Sequence, residues 1–338
     1  MQETTQEILT VQSARPSRQS ISVRALFRRK NPALARRIPV ALFLLLERIA
    51  HSRELSAFLQ DAQSLSPMAA LDLAVHELPI TWRIAGAPLP ANGDRLTVVA
   101  NHPHGGADAI MLLHLLMRTY GAAQVPANDL VQVLAPLAPL FVPVNKHGSN
   151  HDHFRRLDAV FADSKPLLVF PAGRTGRPAG ADGFPDPGGF SRARLHRNRR
   201  DGRRDGRVDR RRPIVDYSWT RTFVKKSRAH GRTIVPVHIA GRNSWRFYAI
   251  AWLRARLRIR LNLEMLLLVD ELARQRGRRF RLTVGTPIEA HRLDQSRSDD
   301  EWAGAIRRYV HALGSGETGE FFAWLTRQDL HGGSHELD

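Results

Sequence analysis

The sequence predicts an α/β fold, a sheet with helices on its faces. Three observations predict it. From residue 80 onward short apolar runs alternate with helix-length segments, the pattern of strands and helices sharing one sheet. Several of those runs end in polar, glycine-containing turns that lead into helices, the connection α/β proteins use to place ligands outside the carboxyl ends of strands. The chain has 338 residues of which 43% are hydrophobic, enough for one large or two modest domains around a sizeable core.

Residues 1–31 are Ser, Arg and Gln with scattered apolar residues and are expected to be a basic, flexible N-terminus. N-terminal helices are expected over 32–79. Asn31-Pro32 can start one, because Asn caps well and Pro is tolerated in the first turn, and it runs from Ala33 to about Ala62. Its uncharged run Ile38–Leu46, flanked by Arg36, Arg37, Glu47 and Arg48, suggests a segment lying at a membrane interface; an ordinary helix packed on the core fits as well.

The α/β domain is expected over 80–290. Strands are predicted at Thr81–Ala85, Leu96–Ala100, Leu140–Val144, Leu167–Phe170, Thr233–Ile239 and Phe280–Gly285. Helices are predicted at Ala107–Tyr120, His151–Ala162, Thr220–Ala229 and Leu261–Gln275, with another after Ser244. Two more, Asp300–Leu313 and Glu317–Leu330, form a C-terminal helical segment over 291–338. A Gly/Pro-rich stretch and then an Arg-rich one break the rhythm, so a disordered insertion is expected over about 175–217.

The formal net charge is +19. Residues 1–37 carry +6 and residues 191–212 carry +8, leaving +5 for the other 279, so the body of the protein is close to ordinary. The absence of Cys excludes disulfides, thiolate nucleophiles and Cys-ligated metals. The longest stretch free of formal charge, 130–145, is shorter than a membrane span and holds three prolines. The N-terminus lacks a signal-peptide pattern, and a cytoplasmic location is expected.

Four motifs carry chemistry. Asn101-His102-Pro103-His104-Gly105-Gly106-Ala107-Asp108 leads from a strand into a helix. A carboxylate on that first turn can hold an imidazole Nδ1–H, fix the tautomer and leave Nε2 to take a proton from a hydroxyl or amine. Gly105 and Gly106 allow the tight turn, and Asp108 also suits a helix N-terminus for its own sake. The second motif, Phe170-Pro171-Ala172-Gly173-Arg174, ends a buried strand and offers a guanidinium and loop N–H groups to an anion. The third runs from Val235 through His238 and Gly241 to Asn243 and Ser244, and the fourth is Gly285-Thr286-Pro287-Ile288. Polar strand ends in one sheet are expected to line one cleft.

In this order, with VPVNKHGSN at 142–150 between the first two, the motifs resemble the glycerolipid and lysophospholipid acyltransferase superfamily, most of all its hemolysin-like branch, from about Thr81 to Ile288. The resemblance implies a central mixed, mostly parallel sheet flanked by helices. It also implies His102 as general base, Asp108 orienting it, and Phe170, Pro171, Gly173 and Arg174 at the acceptor's phosphate. Asn101, Gly105, Gly106 and Asn243 join them as candidate substrate-binding residues. The superfamily usually places four residues between His and Asp where this chain has five, so His104 remains an alternative base; Ala172 stands where Glu is usual.

The expected reaction moves an acyl group from acyl-CoA or acyl-carrier protein, as co-substrate, to a hydroxyl or amine of a lysophospholipid-like or other lyso-lipid. No cofactor or metal is expected. No Gly-x-Ser-x-Gly elbow supplies a Ser nucleophile. The expected partners are the thioester donor, the lipid acceptor and an anionic membrane surface on the cytoplasmic side. Two alternatives remain at this stage: a nucleic-acid-binding protein, suggested by the pI of 11.4, and a non-catalytic lipid-binding protein of the same fold. A metal hydrolase built on His147, His151, Asp152 and His153 with His102 and His104 lacks a His-Glu-x-x-His pattern.

Overall fold

Local sequence signals set the first helices of the chain, and the computed structural model describes residues 22–30, 32–127, 134–143, 150–178, 213–256 and 264–332. Helix α1 (Val23–Lys30) lies inside the expected flexible N-terminus. Ser22 explains it: its hydroxyl accepts from Ala25 N at 3.3 Å and donates to Glu47 at 2.8 Å, and Phe27 packs edge-on against Phe43. The single helix expected from Ala33 to about Ala62 is three: α2 (Pro32–Arg37), α3 (Val40–Ile49) and α4 (Ser52–Asp61). Pro39 holds an extended ψ of 146° and disfavours helix at the residue before it, and His51 turns left-handed at φ 46°. Helix α5 (Pro67–Glu77) has Ser66 as N-cap and proline at its first position.

The sheet begins with β1 (Thr81–Gly86) and β2 (Leu96–Ala100), followed by α6 (Gly106–Tyr120). Then come β3 (Val125–Ala127), which the sequence pattern missed, β4 (Phe141–Pro143), α7 (Asn150–Ala162) and β5 (Leu167–Val169). The ends of the expected disordered insertion are ordered: β6 (Arg177–Pro178) pairs with β7 (Ile214–Val215). The Arg-rich stretch 191–212 lies outside the described residues. After it come α8 (Thr222–Ala229), β8 (Thr233–Ile239), α9 (Trp245–Arg256), α10 (Glu264–Arg274), β9 (Arg279–Val284), β10 (Ile288–Glu289), α11 (Asp299–Gly314) and α12 (Phe321–Gly332).

The main sheet runs β1-β9-β8-β2-β5, with β10 beside the start of β8. Strands β8, β2 and β5 are parallel to one another, and β9 with β1 runs the other way. The sheet is therefore mixed and mostly parallel. Central strand β2 is buried on both faces, and alternation divides its side chains. Val98 joins Val235, Val237 and the apolar stripe of α6, Met111 to Leu116. Val99 joins Ile234, Phe223 of α8 and Ile306 and Val310 of α11. The C-terminal helices thus form one face of the same core.

Strand direction corrects one expectation. Gly285 N donates to Pro236 O at 2.8 Å and Ile288 pairs with Ile234, so the Gly285–Ile288 turn lies near the start of β8. It leads away from His102 toward the other end of the sheet, because β9 runs antiparallel to β8. Only the exits of β2, β5 and β8 share an end. At the far end Arg232 is 1% exposed, and its guanidinium reaches Thr97 Oγ1 at 2.9 Å and the carbonyls of Phe161 at 3.1 Å and Lys165 at 2.7 Å, with further bonds to Leu96 O and Asp163 O.

Candidate active site

The site is built where β2 turns into α6. Gly105 is the N-cap of α6 with φ 84°, a backbone angle that favours glycine, and a Cβ there would stand 2.8 Å from Leu268 of α10, whose methyl would have to shift. Asp108 follows on the first helical turn and is fully buried. Its Oδ2 accepts from the backbone N–H of His104 at 2.8 Å and of Gly105 at 3.0 Å. The same carboxylate receives two imidazoles: His104 Nδ1 lies 2.9 Å from Oδ1 and His102 Nδ1 lies 3.1 Å from Oδ2. The His102 contact is at ion-pair distance but off the line of an aligned hydrogen bond. Asp108 is thus both helix cap and histidine partner. Burial pushes its carboxyl up, but the charge on His104 and the contacts from both rings outweigh that and hold it well below the usual carboxylate range.

The two histidines differ in access. The His104 side chain is 1% exposed, lies edge-on to Phe280, and has Gly241 of the loop after β8 against it. A Cβ at Gly241, whose φ is 122°, would stand 2.5 Å from His104 Nε2. The His102 side chain is 18% exposed and its ring stacks on Phe170 at 4.1 Å. Phe170, expected at the acceptor's phosphate, therefore lies against the ring of the candidate base His102.

The other candidate residues divide. Asn101 spends both ends of its amide on Ile239, donating to its O at 2.9 Å and accepting from its N at 2.6 Å, and so stitches the ends of β2 and β8 together. Gly106 opens α6 under Leu272 of α10. The carbonyl of Pro171 accepts from Thr220, and Gly173, at φ 61°, turns the loop. Arg174 is exposed, its guanidinium 5.7 Å over the Tyr217 ring. The buried guanidinium of this loop is that of Arg177, 5.0 Å over Phe247 and bonded to Thr175 Oγ1 at 2.9 Å. Asn243 is buried, held by Tyr248 and Gln275. Among the described residues, no three His, Asp or Glu side chains gather as metal ligands. His147 lies outside the described residues.

Sequence reasoning missed Asp216, placed inside the expected disordered insertion. It is 1% exposed; its Oδ1 accepts from His102 N at 3.3 Å and its Oδ2 from Trp219 Nε1 at 3.0 Å, while its backbone carbonyl accepts from Arg307. Gly176 N donates to His102 O at 2.9 Å, so both ordered ends of the insertion grip the His102 backbone. An Asp beside an Arg tract carries no local signal of this. Burial pushes the Asp216 carboxyl up to about 6. A carboxyl raised in the fold contributes stability that is present below its unfolded value, about 4, and lost as pH rises through about 6. Urea unfolding of Asp216→Asn is expected to compare increasingly well with the unsubstituted protein as pH goes from about 4.5 to about 7.5. A difference that stays constant between those pH values refutes this.

The family model described as Acyltransferase matches residues 24–187 and 203–316, well over half of the chain. The chain belongs to this acyltransferase family. Lyso-glycine lipid O-acyltransferase of Phocaeicola vulgatus is 33% identical to it over 279 residues, covering 82% of this chain and 88% of that protein. The protein of the same name from Bacteroides thetaiotaomicron is 32% identical over 296 residues, covering 87% and 97%. The crystal structure of the 1-acyl-sn-glycerophosphate acyltransferase of Thermotoga maritima aligns over 82% of this chain and 98% of that one, with a TM-score of 0.40 and 13% identity. The resemblance read from the motifs is borne out at the level of the family, and the acyltransferase is an enzyme. Among the described residues of this acyltransferase, no helix is long and apolar enough to cross a membrane.

Proposed function

We propose that this acyltransferase moves a fatty acyl group from a thioester donor, acyl-CoA or acyl-carrier protein, to the hydroxyl of a lyso-lipid, with a lyso-glycine lipid as the first acceptor to try. The observation that carries the reading is the pairing of a solvent-reachable His102 with a buried, ionised Asp108 at a strand-to-helix turn. With Nδ1 toward Asp108, Nε2 is the nitrogen left to take the acceptor's proton as its oxygen attacks the thioester carbonyl. Asp108 then faces the imidazolium and supports its charge. The tetrahedral intermediate collapses with loss of the thiolate, which is protonated as it leaves, and no acyl-enzyme intermediate is required. His104, walled in by Phe280 and Gly241, steadies the carboxylate from its other oxygen. The two lyso-glycine lipid relatives support the acceptor class.

The acceptor is a membrane lipid in this reading, and the enzyme works on the inner face of the cytoplasmic membrane. Helix α3 supports it: Val40, Leu42, Leu44 and Leu45 are exposed while Phe43 is buried, and Arg36, Arg37 and Arg48 flank the run, with Glu47 beside them bonded to Ser22. The test is thiol release from acyl-CoA and from acyl-carrier protein with lyso-glycine lipid, lysophosphatidic acid and other lyso-lipids as acceptors. Release that depends on a lyso-lipid is the expected result. No release with any pair, from folded protein supplied with vesicles, overturns the reading and leaves a non-catalytic lipid-binding protein of this fold.

A further inference from the structure

A second amphipathic surface lies on α9, a helix that packs, as α3 does, against α10. Helix α9 follows directly on the site loop that carries Gly241 and Asn243. It buries Phe247, Tyr248 and Ala251 and turns outward Trp245, Ile250 and Leu253, with Trp245 53% and Leu253 48% exposed. The exposed side also carries Arg246 and Arg256, and the Arg256 guanidinium lies 6.0 Å over the half-buried Trp252 ring. From Arg242 to Arg260 the sequence holds six Arg and no acidic residue. An exposed face on which a tryptophan and two aliphatic side chains alternate with Arg246 and Arg256 suits the boundary between acyl chains and anionic headgroups.

Placement adds a second reason. Helix α10 packs against both α3 and α9, with His51 Nε2 3.2 Å from Asp270 Oδ1 tying the α3–α4 junction to it. The same α10 lays Leu268 and Leu272 over Gly105 and Gly106. Helices α3 and α9 therefore border one helix, and that helix roofs the turn that bears His102 and Asp108.

We infer that α9 is a second membrane-contacting element, seated on an anionic lipid surface through Trp245, Ile250, Leu253 and its arginines, so that the site loop after β8 opens at the bilayer. The inference rests on the reading of a lipid acceptor drawn from a membrane and goes beyond the α3 contact. An acceptor whose chain stays in the bilayer then has its polar end delivered at the loop of Gly241–Ser244.

The native chain contains no Cys, so single substitutions give unique labelling sites. Leu253→Cys, Leu44→Cys and Gln328→Cys, the last an exposed position on α12, are each labelled with an environment-sensitive fluorophore and titrated with phosphatidylglycerol or phosphatidylcholine vesicles. The expected result is a blue-shifted, several-fold brighter signal at 253 and at 44 on phosphatidylglycerol, weaker on phosphatidylcholine, and none at 328. The double variant Trp245→Ser with Leu253→Ser, checked for an unchanged thermal melt, is expected to bind these vesicles about tenfold or more weakly. A response at 44 without one at 253 overturns the α9 assignment alone. Silence at both labels overturns the membrane reading as well, while thiol release from a detergent-dispersed acceptor tests the catalytic reading separately. A signal at 253 already shifted without lipid in a dimeric protein, or one evoked by RNA and not by vesicles, assigns the face to that partner and overturns the inference.

Discussion

His102→Ala is expected to lower kcat/KM for acyl transfer about 10²- to 10⁴-fold, the span that a positioned general base contributes, and to leave the fold in place. The loss of stability is small because the His102 side chain is partly exposed and its main packing partner is the Phe170 ring; one such ring contact is worth about 0.5–1.5 kcal/mol. His104→Leu behaves differently. Its ring is buried and holds Asp108 Oδ1 at 2.9 Å, so its removal strips a donor from an enclosed carboxylate at a cost of about 1–3 kcal/mol. That variant should lose thermal stability and part of its activity together. Steady-state kinetics with urea unfolding on both variants separates the roles. Near-normal turnover by His102→Ala, with complete loss in a folded His104→Leu, transfers the base to His104.

Arg232→Met produces the largest loss of stability expected from a single change outside the site. The buried guanidinium gathers the carbonyls of Leu96, Phe161, Asp163 and Lys165 and the hydroxyl of Thr97. It thereby ties the end of α7 and the approach to β5 to the start of β2. Burial lowers its pKa to about 10, so it remains a cation at neutral pH. A thioether in its place fills some of the volume and donates nothing. At about 1–3 kcal/mol for each buried acceptor left without a donor, the total reaches several kcal/mol. The urea midpoint is expected to fall sharply, while activity per folded molecule in the cold stays near normal because Arg232 sits at the end of the sheet away from His102. An unchanged midpoint refutes this account.

Legibility followed the range of the interactions. The strand Thr233–Ile239 was readable to the residue because a continuous apolar run bounded by turn residues is a local pattern. The turn of Asn101–Asp108 was readable because its chemistry is contiguous. Helix α1 was not, because residues 22–30 are held by Glu47 and Phe43, partners further along the chain. Asp216 was hidden for the same reason at longer range. Its burial against His102 arises only when Arg177–Pro178 pairs with Ile214–Val215 across the insertion.

The sequence by itself determined the α/β class, the acyltransferase motifs in order, and the pairing of a histidine with Asp108, all carried by residue types at short spacing. Three things waited for the tertiary structure. The direction of β9 removes Gly285–Ile288 from the cleft, because direction is a property of strand pairing. Burial makes His102 rather than His104 the reachable imidazole, because access depends on Gly241 of the loop after β8 and Phe280 of β9, both distant in the chain. The side of α9 that faces outward emerges only once Phe247 and Tyr248 have been spent on the core.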